Sequence, residues 1–548
     1  MRHQGTRWRF VLLIVALVTA AAACSSGEGV DVGDSTTTTA AENGSTTTAM
    51  TETTAMTETT AMTETTAAMS EGGGVLVAAQ GSEPDTLDPH MTSSYASFQV
   101  LENVYDTLVQ PAADLSMEPA LAESWDISDD NLTWTFHLRP GVKFHNGRDL
   151  VADDVVYSFN RVIDEGLNGW RFGAVNTITA PDDATVVITL NQPSPNLLVS
   201  IAGFKGMAIV PQEIVEDGTI ATHPVGTGPF RFVSQSPDQG IVLEKNPDYW
   251  RADEGLPKLD VVRFVQIPDA GTKLTALETG EVQWIDAVPP QNIDALAAED
   301  GITVGRVPGG DYHYFALNEN RPPFDNVLVR QAIATAINRG EIAEAAQFGA
   351  ATPNETAIPA SNKAWYFDYA PYAPGDLETA QGLLDQAGVS DLTIDFLVTS
   401  DNPETVTQAQ VIAAELEPLG ITVNITDVDF NTWLDREANG EFDAFMLSWV
   451  GNIDPDDFYY AQHHTGANFN FQGYSNSEVD SLLDQARVET DQAARKDLYD
   501  QAAKIIVDEA SYIYLYNPDN INAWRNEVGG YMTRGDKAVR FVETTLSQ

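Results

Sequence analysis

Two regular periods alternate near the C-terminal end of this chain, and that alternation constrains its fold more than any other feature. Leu392 to Val398 reads as a strand. Asn402-Pro403 then offers a helix N-cap followed by proline at the first helical position, and Val406, Ala409, Ile412, Ala413 and Leu416 share one stripe before Gly420 ends the pattern. Ile421, Val423 and Ile425 alternate with Thr422, Asn424 and Thr426 as in a half-buried strand. A helix around Trp433 and Leu434 ends near Gly440, and Asp443 to Trp449 reads as a third strand. Strand, helix, strand, helix, strand is the pattern of a parallel sheet with crossovers, hence an α/β fold. Ligands of such sheets bind beyond the carboxyl ends of the strands. The segment Trp449-Val-Gly-Asn-Ile-Asp-Pro455, where the last strand ends, is therefore the candidate binding loop.

The first half is richer in short strands. Leu132 to Leu138, a Pro140-Gly141 turn, Val142 to Phe144 and an Asn146-Gly147 turn read as hairpin material, and Val155, Val156, Phe159, Val162 and Ile163 mark one face of a helix. This is not the continuation of the C-terminal sheet. Two lobes are expected, with a ligand pocket at their interface.

The N-terminal segment is of another kind. Arg2, Arg7 and Arg9 precede a fourteen-residue apolar run from Phe10 to Ala23, which ends in Ala21-Ala22-Ala23 before Cys24. As a helix that run spans roughly 21 Å, short of the ~30 Å hydrocarbon core, so residues 1–23 read as a cleaved signal peptide. From Ser25 to Ser70 the chain is dominated by Thr, Ala, Met, Glu and Gly. The hexad beginning at Thr51 recurs at Thr57 and, one alanine longer, at Thr63. Without aromatic or long aliphatic runs this segment builds no core and is expected to act as a disordered tether.

Cys24 is the only cysteine of 548 residues, so the rest of the chain has neither a disulfide nor a thiol nucleophile nor a thiolate metal site. The formal charge of −51, from 80 acidic against 29 basic residues, argues against nucleic acid as a partner. No G-x-S-x-G elbow, H-E-x-x-H helix or G-x-x-x-x-G-K-[ST] loop occurs, and no spacing identifies a carboxylate pair. The chain is expected not to be an enzyme, a secreted hydrolase being the competing reading. No cofactor is called for. His463-His464 invites a metal reading, but adjacent histidines on a regular element point apart and no third ligand is spaced to join them.

Several short motifs, in order, resemble one family. They are Leu87-Asp-Pro-His90, Pro119-Ala-Leu-Ala-Glu-Ser-Trp125, Leu138 to Gly147, Gly226-Thr-Gly-Pro-Phe230, Asn246-Pro-Asp-Tyr-Trp250, Val329-Arg-Gln-Ala-Ile333 and Asp454-Pro455. The chain thus resembles the peptide/nickel class, family 5, of ABC-transporter solute-binding proteins. Cys24 similarly resembles the lipobox of bacterial lipoproteins, with Ala21 where that motif usually has leucine; an ordinary signal peptide with an incidental cysteine is the alternative.

The resemblance implies a large, two-lobed, hinged α/β binding protein with a subdomain inserted into lobe one. Lobe one is placed at 74–110, 225–315 and 515–548, the insert at 111–224 and lobe two at 316–514, after an anchor and tether at 24–73. The chain would cross between lobes near Tyr312 to Asn318 and return near Tyr514. It also implies a monomer, anchored to the membrane through Cys24 on the extracytoplasmic face, that delivers a peptide, sugar or metal chelate to permease subunits. A signalling receptor of the same fold is a further reading.

Family members contribute the stretch after Asp-Pro-His to the cleft, which here is Ser93, Ser94 and Tyr95. Trp449 matches the aromatic that opens the lobe-two loop, and Gly451 would let the backbone approach a ligand closely. Peptide-binding members read W-x-x-D-x-x-D-P there, the first Asp pairing with the peptide's amino terminus. Asn452 stands at that place with one residue fewer before Asp454-Pro455, so Asp454 is the available replacement, or else a turn or cap residue. Trp284 and Tyr312 are aromatic candidates by neighbourhood only, and core packing is the preferred explanation for both.

Overall fold

The computed structural model describes residues 73–203, 206–400, 402–449 and 453–547. The proposed signal peptide, Cys24, the Thr-rich tether, Gly451 and Asn452 lie outside the described residues.

The C-terminal alternation folds as its pattern requires. Strand Thr393–Thr399 lies parallel to Thr422–Val428 on one side and to Ala444–Trp449 on the other, and helices Pro403–Leu416 and Phe430–Ala438 form the crossovers. Ile394, Phe396 and Val398 are buried against the Ala409–Ile412–Leu416 stripe. Thr422–Val428 is an edge strand with no residue fully buried, consistent with its alternating sequence. Strand Tyr312–Leu317 extends this sheet, antiparallel to Ala444–Trp449 and pairing Tyr312 with Trp449.

Lobe one has its own sheet. Strand Val75–Gln80 lies parallel to Val261–Gln266 and to the short strand Trp284–Ile285, and the antiparallel strands Gly240–Lys245 and Phe230–Ser236 extend it outward. Within the 111–224 segment sits a separate four-stranded antiparallel sheet, in the order Ala122–Ile127, Thr133–Leu138, Thr185–Leu190, Val175–Asp182. Helix Ala152–Asp164 packs on it, burying Val155, Phe159 and Val162 while Ile163 stays exposed. The expected pairing of Leu132–Leu138 with Val142–Phe144 does not occur. Thr133–Leu138 pairs instead with strands on both sides of it, and Val142 and Phe144 are buried plugs in the subdomain core.

One 13-residue strand, Ile513–Arg525, joins the lobes. Its first residues pair with Tyr312–Leu317, and from Asp519 to Arg525 it pairs with Ile302–Pro308. Tyr516, Asn517 and Pro518 pair with the short strand Ala351–Pro353 of lobe two, so the chain changes lobes at 309–311 and again between Pro518 and Asp519. These points precede the expected Tyr312–Asn318 and follow the expected Tyr514, because ladder bonding holds Tyr312–Leu317 wholly in the lobe-two sheet.

Candidate ligand-binding site

The lobe-one wall begins with a braced turn. Asp85 accepts hydrogen bonds from Thr92 Oγ1 at 2.7 Å and Ser97 Oγ at 2.6 Å. Asp88 grips Arg161 of the insert's helix with both oxygens, at 2.9 and 2.6 Å, and also accepts the His90 N–H at 3.1 Å. His90 Nε2 lies 2.9 Å from the Ala208 carbonyl and Nδ1 lies 3.0 Å from Arg161 Nη1. Burial lowers the imidazole's pKa to about 4, so it is neutral and can accept from the arginine. The family's Leu-Asp-Pro-His stretch is thus scaffold. What it presents is the segment after it: Ser93 is exposed, Ser94 caps helix Tyr95–Leu101 by backbone conformation alone, and Tyr95 is half open with its hydroxyl donating to the Lys537 carbonyl at 3.0 Å.

The lobe-two wall is held from three sides. The Trp449 indole N–H donates to the Asp457 carbonyl at 3.0 Å, and its ring meets Phe469 edge to face at 4.9 Å. Asn362 Nδ2 donates to the Ile453 carbonyl at 2.9 Å. Asp454 caps helix Pro455–His463 by accepting the Asp456 N–H at 3.0 Å, and both its oxygens bind Arg495 at 2.7 Å. Arg495 is itself packed between Trp365 and Tyr499. With 4% of its surface exposed, Asp454 is engaged as a helix cap and ion-pair partner, the turn-or-cap reading of its two alternatives rather than the anchor.

Trp284 and Tyr312 pack in the core and drop out as wall candidates. Trp284 has no exposed surface and meets Tyr531 and Phe541 edge to face in the lobe-one core, paired in register with Ala78 and Trp524. Tyr312 is equally enclosed among Tyr314, Phe458 and Tyr514, its hydroxyl on the Phe458 carbonyl. Their neighbourhood is near the lobe junction, but their side chains face inward. The two histidines diverge. His463 is buried between Ser511 and Tyr514, whereas His464 stacks on Tyr460 at the surface. Among the described residues no three His, Cys, Asp or Glu side chains group to hold a metal.

Polar groups that the sequence did not single out gather where the lobes meet. Lys537 of lobe one bonds Asp311 at the crossing. In lobe two, Gln408 reaches Tyr516 and His313, and Glu404 lies one turn before it on the same helix. Burial raises the Glu404 carboxyl's pKa, and the charge of Lys537 opposes that rise. Arg495 was the findable member of this site: it falls on the buried stripe of helix Gln492–Asp508 with Tyr499, Ala502 and Ile506, where a cation requires a buried anion.

Two α/β lobes joined by the one strand Ile513–Arg525, with Tyr95 of the first and Trp449 of the second partly open, have the architecture of a two-lobed binding protein. The chain belongs to the bacterial extracellular solute-binding proteins of family 5, whose middle region matches residues 116–471. It is 32% identical over 478 residues to heme-binding protein A of Haemophilus influenzae, covering 80% of this chain and 86% of that protein. It is 31% identical over 487 residues to the glutathione-binding protein GsiB of Pectobacterium atrosepticum, covering 86% and 94%. The Helicobacter pylori periplasmic binding protein DppA, solved with the peptide STSA, superposes with a TM-score of 0.76 at 32% identity, covering 87% of this chain and 99% of that one. Among the described residues no helix is long and apolar enough to cross a membrane.

Proposed function

We propose that this chain is a lipid-anchored solute-binding protein that captures a peptide or peptide-like ligand between its lobes, hands it to an ABC permease and performs no catalysis itself. The observation that carries this reading is that Tyr95 on lobe one and Trp449 on lobe two are each only partly covered. Both are partly open aromatics whose polar atoms are tied to backbone carbonyls, so that their faces remain for a ligand. The named ligands of its relatives, heme and glutathione, and the peptide held by DppA support the class.

The anchoring chemistry differs from that of ordinary peptide-binding members. Asn452 stands at the place of the amino-terminal anchor, and Asp454 is committed to Arg495. An amide accepts a hydrogen bond from an ammonium without the charge that makes such bonds about twice as strong. Ligands without a free amino terminus, such as blocked or cyclic peptides, therefore suit this loop better than simple dipeptides. Calorimetry with free and N-acetylated peptides tests this. Acetylation is expected to change affinity by less than about tenfold, and strong binding of free forms that acetylation abolishes would overturn it. A ligand at a hundredfold excess over its dissociation constant adds about 2.7 kcal/mol to stability, and no thermal shift with peptides, glutathione or heme would count against the class itself.

Cys24, as a diacylated first residue of the mature chain, supplies the two lipid chains that stable anchoring requires. Cys24→Ala is expected to release the protein from membranes into the medium, and unchanged membrane fractionation would refute the anchor.

A further inference from the structure

Arg171 and Asp457 meet across the two lobes. Arg171 Nη1 donates to Asp457 Oδ1 at 3.2 Å, and the two side chains keep only 7% and 9% of their exposure. Arg171 lies in the short turn Gly169–Phe172 of the insert, seated by the buried Phe172 against Phe159, and its guanidinium stacks on Trp170 at 4.4 Å. Asp457 lies in the first turn of helix Pro455–His463 in lobe two, where the helix dipole favours a carboxylate.

Neither residue is on the strands that join the lobes, and each is fastened to its own side. The Asp88–Arg161 pair ties the insert to lobe one, so Arg171 travels with lobe one. Asp454, gripped by Arg495, caps the helix that carries Asp457. A hinge motion that separates the lobes must therefore break the Arg171–Asp457 bond.

We propose that Arg171 and Asp457 form a closure latch that sets the balance between open and closed lobes. The latch is also wired to the candidate ligand wall, because the carbonyl of Asp457 is the acceptor of the Trp449 indole. A ligand that steadies Trp449 steadies the Asp457 end of the latch. Conversely, a fraction of molecules held closed without ligand changes the apparent affinity by that fraction. The inference rests on the solute-binding reading only for the existence of two moving lobes, and not on which ligand is bound.

The test needs no ligand. With Cys24 replaced by serine the mature chain has no cysteine, so Asp183→Cys on the exposed insert turn and Asp435→Cys on an exposed helix face of lobe two give a single spin-label pair. Distances by pulsed electron resonance then report the open-to-closed ratio. Arg171→Ala and Asp457→Asn are each expected to raise that ratio about tenfold or more, as for truncation of one partner of a buried charge pair. The double variant should open no further than either single one, and Arg171→Lys, which keeps the charge, should recover part of the closed population. Unchanged distances in all variants, or additive effects in the double variant, would overturn the latch. Because the measurement is made on free protein, a failed ligand screen leaves it standing, and its own failure leaves ligand binding untouched.

Discussion

The two Asp-Pro segments, Asp88-Pro89 in lobe one and Asp454-Pro455 in lobe two, are built alike. In each the aspartate accepts the backbone N–H two residues on, at 3.1 Å from His90 and 3.0 Å from Asp456, and binds a helical arginine with both carboxylate oxygens. An aspartate that bonds its own backbone two residues ahead makes a self-contained turn, and the proline fixes the next residue. The difference is where the arginine comes from. Arg161 belongs to the insert, so the first turn staples two subdomains. Arg495 belongs to lobe two, so the second turn holds a binding loop to its own helical layer. The most recognisable residues of both segments are therefore brackets, and the residues proposed to meet a ligand are their partly open neighbours, Ser93 to Tyr95 after the first and Trp449 before the second.

The largest effect should come from breaking either bracket. Asp454→Ala leaves Arg495 buried and uncompensated and removes a helix N-cap, so a loss of roughly 3–5 kcal/mol for the pair and about 1 kcal/mol for the cap is expected in urea unfolding. Asp88→Ala should cost a similar 3–5 kcal/mol for its pair but strip no helix cap, and it should loosen the insert preferentially, seen as faster hydrogen exchange in helix Ala152–Asp164 than in lobe two. If Asp454→Ala keeps its stability and loses ligand affinity instead, the aspartate is a contact and the likeness between the two turns is accidental.

How much of this was legible follows the same division. The 392–449 alternation reads correctly because its strands carry a buried apolar face, Ile394 and Phe396 alternating with exposed Thr393 and Asp395, and Gly420 and Gly440 end the helices between them in the left-handed conformation the sequence suggests. The Ile513–Arg525 strand is illegible because Asn517-Pro518-Asp519-Asn520 carries the composition of a turn. It stays extended there because Asn517 and Pro518 pair with Ala351–Pro353 and Asp519 and Asn520 with Ile302–Pro308, and the Pro518 carbonyl accepts the Gly309 N–H of the opposite crossing. Val142 and Phe144 alternate like a strand yet serve as plugs, a tertiary decision that local periodicity does not contain. Tyr95 and Trp449 are partly open, whereas Trp284 and Tyr312 show that aromatic character near a junction does not tell which way a ring faces. The partners of Asp88 and Asp454 lie 73 and 41 residues away in sequence, and only the fold pairs them.

The position after each proline sharpens the comparison through pH, with opposite signs. His90 is surrounded by Arg161, Asp88 and the Ala208 carbonyl, and burial lowers its pKa from 6.5 to about 4. The fold thus prefers the neutral ring: its contribution is complete above pH 6.5 and is lost as pH falls from there towards 4. Asp456 is ringed by Arg487, Arg495, Tyr499, Asp454 and Asp457, and burial raises its pKa from 3.8 to about 6. The fold prefers its protonated form, so stability declines as pH rises from about 4 to 6 and is level above that. Each displacement corresponds to at most about 3 kcal/mol, less where neighbouring charges readjust. Between pH 6 and 4 the two residues therefore work against each other in the wild type. His90→Gln should lose less stability on acidification over that interval than the wild type, and Asp456→Asn should lose more. Urea unfolding at half-unit steps from pH 4 to 7 separates the two, and parallel curves for both variants would mean that neither site holds its proton as its burial requires.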